Sequence, residues 1–194
     1  MIFVNPVRLT EPEGFDVKCR QKGRQWLVKH PKATRKKNNR PKDFWTPFKP
    51  SLADAFRNLC AYSAMYEPVG TVDHFVPVDA DEKLAYEWSN YRFASAWINS
   101  SKQKTVSVLD PLVVRDGWFE ILLPSLQLQA TDVIPEQFRV LAEETLRRLH
   151  LVNDQRVIRQ RSRWYQQYND GKLTLDGLRE NAPLIASAVV KALS

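Results

Sequence analysis

The spacing of apolar positions along the chain predicts more helix than strand. Leu52, Ala55, Phe56, Leu59 and Tyr62 recur at helical intervals, and Ser51 with Asp54 three residues later resembles a capping box, so a helix is predicted from residue 51 to residues 62–65. After Gly70, residues 71–76 read as a short strand that Pro77 stops. A polar loop over 79–83 leads to a second apolar stretch at 90–94, and a helix is predicted from Ser95 or Ala96 to about residue 104. Further on, residues 117–123 and 126–128 read as two strands turned at Pro124 and Ser125. Pro135 can open a helix whose apolar stripe is Phe138, Leu141, Ala142, Thr145, Leu146 and Leu149. Two more helical stretches, 154–168 and 174–193, complete the chain, the second interrupted near Pro183. This order predicts an α+β fold, with a strand, loop, strand and helix embedded in a mostly helical domain.

Charge divides the picture further. The 194 residues carry a net charge of +7, yet between Lys18 and Lys49 there are 12 Lys+Arg against one acid, Asp43. The remainder of the chain is therefore slightly acidic. Residues 1–17, with Pro6, Pro12 and Gly14, read as an extended lead-in, so residues 1–50 are expected to form a basic N-terminal arm. Residues 51–110 then form the core, and 111–194 supply the strand pair and C-terminal helices packed on it. Such a charge run fits a solvated tail, and it equally fits an arm that tracks phosphates through Arg35, Lys36, Lys37 and Arg40. Trp26, Phe44, Trp45 and Phe48 bracket the run. Arg156, Arg159, Arg161 and Arg163 place a second basic group on a predicted helix. Only two cysteines, Cys19 and Cys60, no apolar leader segment and no apolar run of about 18 residues predict a soluble cytoplasmic protein without a membrane partner.

The residues best suited to chemistry are Asp73, His74, Asn99 and Lys102. Asp73 and His74 are adjacent on a predicted strand, so their side chains leave opposite faces. If the next strand and helix fold back, Asn99 approaches Asp73, and the two offer oxygen ligands to a hard cation such as Mg²⁺ or Mn²⁺. His74 is then suited to take a proton from a water attacking a phosphate, and Lys102, near Asn99, to meet the same phosphate.

These residues resemble a known family. Val72-Asp73-His74-Phe75-Val76-Pro77, Trp88-Ser89-Asn90-Tyr91-Arg92-Phe93 and Asn99-Ser100-Ser101-Lys102, with intervals of sixteen residues from His74 to Asn90 and nine from Asn90 to Asn99, resemble the DH, N and NxxK signatures of HNH endonucleases. The resemblance implies a ββα-metal hairpin that cleaves DNA, with Asp73 and Asn99 on the metal, His74 as general base and Asn90 bracing the loop over the site. A wider likeness, through Cys60-Ala61-Tyr62-Ser63, Asp110-Pro111-Leu112 and Gly117-Trp118-Phe119, is to a bacterial subgroup found in anti-phage defence and retron-like systems. That likeness implies a protein partner as well as DNA. Many relatives carry a structural zinc on two CxxC pairs, which here read Cys60-Ala61-Tyr62-Ser63 and Ser95-Ala96-Trp97-Ile98. One of four ligands remains, so no structural zinc is expected. Three functions follow as alternatives: a DNA endonuclease, an inactive HNH-fold subunit that binds DNA or a partner, and a nuclease directed at RNA.

Overall fold

A computed structural model describes Met1, residues 8–34, Lys36 and residues 39–194. The fold class is α+β. The chain forms two compact units, each assembled from separated segments: Asn5–Asn58 with Val69–Val106, and Met1–Val4 with Leu59–Pro68 and Ser107–Ser194. Among the described residues no helix is long and apolar enough to cross a membrane.

The first unit is built around a hairpin. Strand β1 (Thr71–His74) pairs antiparallel with β2 (Tyr91–Ala94), in a register that sets Asp73 opposite Arg92 and His74 opposite Tyr91. Thr71, Val72, Tyr91 and Phe93 are residues that suit a pleated, half-buried ladder. Helix α3 (Ala96–Lys102) follows directly and packs on β1. Between the strands, short 3₁₀ turns at Glu82–Tyr86 and Trp88–Asn90 keep the connecting loop compact, the first capped by Asp81, which accepts from the Lys83 amide.

Much of what reads as an arm belongs to this unit. A π-helical turn at Asp16–Arg20 runs into α1 (Gln21–Lys29), and Phe15 at its start packs edge to face on Phe48, Trp88 and Tyr91. Arg20 bonds Glu11, Asp16 and Glu87, which fixes the turn against the loop between the strands. Gly23 is required where it stands: a Cβ there would lie 2.1 Å from the Tyr86 ring. Helix α2 (Lys49–Ala55) begins earlier than predicted, with Pro50 in its first turn, so Ser51 lies inside the helix and caps nothing. It ends at Ala55 rather than at residues 62–65, because Arg57 and Asn58 both take φ of 56°. Left-handed backbone at two successive residues cannot continue a right-handed helix.

The second unit pairs β3 (Phe119–Leu122) with β4 (Gln127–Ala130), and adds α4 (Glu136–Arg148), α5 (Gln155–Asn169), α6 (Leu175–Asn181) and α7 (Pro183–Leu193). Helix α7 packs on β3, α4 on β4, and α5 on α6 and α7. Arg161, expected among a basic helix face, is instead 1% exposed. Its guanidinium donates to the carbonyls of Leu126, Leu151 and Val152, and burial lowers its pKa to about 10. Arg156, Arg159 and Arg163 are exposed.

Candidate functional site

The strand alternation of β1 sends its two polar residues to different surroundings. Asp73 turns inward and is 2% exposed, whereas His74 is half-buried. Asp73 Oδ1 accepts from Lys102 Nζ at 3.0 Å, and the same ammonium donates to the His74 carbonyl at 2.7 Å. Lys102 is fully buried, with the Phe75 ring lying near both it and the Arg92 guanidinium. The expectation that Lys102 reaches a substrate phosphate is therefore corrected: β1 and α3 hold its ammonium inside, on the carboxylate. Removing one partner of such a pair leaves a buried charge without compensation.

The His74 ring is oriented by the loop between the strands. Its Nε2 lies 2.8 Å from the Ala85 carbonyl oxygen. A carbonyl accepts and cannot donate, so Nε2 carries the proton and Nδ1 is the basic nitrogen of the neutral ring. The Tyr91 hydroxyl donates to the same carbonyl at 2.9 Å, and the rings of Trp45 and Tyr91 meet the imidazole edge to face at 4.8 and 5.2 Å. Burial pushes the Tyr91 and Tyr86 hydroxyls well above their ordinary pKa, so both remain neutral donors, Tyr86 to the Lys42 carbonyl. Cys19, whose thiol burial pushes up to about 11, completes this wall beside Tyr91.

Asn90 stands behind the imidazole. Its side-chain oxygen accepts from the Val76 amide at 2.8 Å, while its nitrogen donates to the carbonyls of Val76 and Leu84. The residue is buried; two of its bonds hold the chain just past β1 at Val76, and the third holds the loop beside Ala85 at Leu84. Asn90 thus fixes the backbone that fixes His74. Asn99, on α3, donates through its amide nitrogen to Thr71 Oγ1 at 2.9 Å and the Val72 carbonyl at 3.2 Å. With the nitrogen committed to the strand, the amide oxygen is the atom left for a ligand.

Asp73, His74 and Asn99 line one cleft of about 330 Å³, together with Arg40, Trp45 and Lys49. Lys49 did not stand out as a site residue in the sequence, and Trp45 did so only as a ring able to stack on a base. Trp45 borders the basic run and Lys49 ends it, but nothing in their spacing ties them to His74. Arg40 lies on the cleft and is exposed; Lys36 is exposed and is not part of the lining. Arg35 and Lys37 fall outside the described residues.

No protein-family model, curated protein or solved structure matches the chain.

One carboxylate, Asp73, and one amide oxygen, from Asn99, suit a hard divalent cation that keeps several waters and shares a substrate phosphate. Among the described residues no three His, Cys, Asp or Glu side chains gather as a metal cluster, so a cation here relies on that pair. The Lys102 ammonium already neutralises Asp73, so a cation held here would need a further negative charge beyond that carboxylate.

Proposed function

We propose that the chain is a metal-dependent endonuclease of HNH type that hydrolyses phosphodiester bonds of DNA, with β1, β2 and α3 as its ββα-metal hairpin. The observation that carries the reading is the shared cleft: Asp73, Asn99 and a His74 imidazole of defined tautomer line one space together with the cations Arg40 and Lys49. In this reading His74 Nδ1 takes the proton of the attacking water, since Nε2 is fixed on the Ala85 carbonyl. Asn90 holds that carbonyl's loop in place, and Lys102 holds the Asp73 carboxylate. Bound to Asp73 and Asn99, Mg²⁺ or Mn²⁺ would supply Lewis-acid stabilisation of the charge that develops on the phosphoryl oxygens. A role in anti-phage defence, with a protein partner and in the cytoplasm, belongs to the same proposal and rests on sequence resemblance.

One observation favours a second reading, an HNH-fold subunit that binds DNA or a partner without cutting. Lys102 supplies Asp73 with a buried counter-charge, so the carboxylate needs no metal for neutrality. Incubation with supercoiled plasmid separates the two. The nuclease reading expects nicked or linear product with Mg²⁺ or Mn²⁺ and none with EDTA, whereas retarded but intact plasmid in every lane supports the binding subunit. Parallel incubation with RNA of similar length tests the substrate class.

A further inference from the structure

The cleft contains a cation that no other group answers among the described residues. Lys49, at the start of α2, is half-buried and lines the same space as His74 and Asn99. No hydrogen bond or ion pair joins its ammonium to a described residue, and the same is true of the Arg40 guanidinium. A partly desolvated ammonium without a partner is held at a cost in solvation that an anion would offset. The acids on the lining do not meet that need. Asp73 is neutralised by Lys102, and Asp43 is exposed and accepts from the Thr46 hydroxyl. Ser100, also on the lining, adds a neutral donor, its hydroxyl having no hydrogen-bond partner among the described residues.

We infer that Lys49, assisted by Arg40, forms a phosphate-binding site in this cleft, one that holds the phosphate group without a divalent cation. The inference deepens the nuclease reading and rests on it only for the biological source of the phosphate, a nucleic-acid backbone. It reassigns the phosphate contact from Lys102, which is sealed inside, to a lysine that reaches the cleft from the other side of the sequence. Lys49 precedes β1 by more than twenty residues, so helix α2 rather than the hairpin sets its position.

The test is titration of the full chain with inorganic phosphate in EDTA at constant pH, read by the NMR signal of the His74 Cε1–H. Wild type is expected to show a saturable shift. Lys49→Gln should weaken it tenfold or more, as loss of a charge-assisted hydrogen bond implies, Lys49→Arg should restore it, and exposed Lys22→Gln on α1 should leave it unchanged. Matching thermal melts of the variants establish that the fold is intact. Absence of a saturable shift in wild type, or an equal shift in Lys49→Gln, overturns the inference. Plasmid cleavage by wild type without a phosphate shift removes this site and leaves the nuclease standing; a shift with intact plasmid does the reverse.

Discussion

At the scale of single residues, the decisive contact is between Asp73 and Lys102. Both side chains are buried, at 2% and 0% exposure, and the ammonium bridges the carboxylate and the His74 carbonyl. Asp73→Asn or Lys102→Met alone should lower unfolding free energy by about 3–5 kcal/mol, because each strands a buried charge. The double variant should recover a large part of that loss in urea denaturation, since the remaining groups are neutral. Additive losses would mean that the two side chains contribute independently. The sequence made Asp73, His74 and Asn99 legible, because their identities and intervals are local. It did not reveal Lys102's direction. Spacing along α3 places Lys102 near Asn99 whether it points at solvent or at Asp73, and only packing decides which. Lys49 and Trp45 were illegible for the same reason: their relation to His74 is made by tertiary contact alone.

Among the elements, those with strong apolar periodicity were readable. Helices α4 and α5 lie within a residue or two of their predicted bounds, and the break before Pro183 separates α6 from α7. Helix α1 was not readable, because its apolar positions (Trp26, Leu27, Val28) cluster at one end without helical periodicity, behind charges and a glycine. Gly23 lowers helix propensity locally, yet its missing Cβ is what admits the Tyr86 ring. Helix α5 held a different surprise in Arg161, whose place in a run of arginines suggested an exposed face. Its guanidinium instead donates to three carbonyls, of which that of Val152 also accepts from the Leu128 amide, while those of Leu126 and Leu151 depend on Arg161. Arg161→Met should therefore destabilise the protein by about 2–6 kcal/mol, at about 1–3 kcal/mol for each of the two orphaned acceptors. Exposed Arg159→Met on the same helix should change stability by less than about 0.5 kcal/mol. Equal thermal melts for the two variants would contradict the carbonyl cage.

For the whole molecule, the division of the chain matters more than its length. The unit containing the cleft has 18 Lys+Arg against 10 Asp+Glu, while the other has 11 against 12. The positive charge noticed in the sequence thus belongs to the unit that holds the candidate site, with Lys18, Arg20, Lys22, Arg24, Lys29 and Lys49 carried on that unit's own helical segments. Neither unit is a continuous stretch. Leu59–Pro68 leaves the first unit and joins the second, where the Tyr66 amide donates to the Asn181 carbonyl and Gln160 donates to the Tyr66 carbonyl. A fragment ending at residue 106 should therefore bind the dye ANS and be cut by protease first within residues 59–68, while a fragment lacking only the last residues of α7 should resist both. Protection of 59–68 in the shorter fragment would contradict this organisation. The central claim is that a fixed His74 imidazole performs base catalysis in this cleft, and single-turnover cleavage of a DNA duplex by wild type and His74→Ala in Mn²⁺ tests it most directly. The account predicts a rate about 10²–10⁴-fold lower in the variant, with DNA affinity in EDTA unchanged; equal rates, or no cleavage by wild type at all, would contradict it.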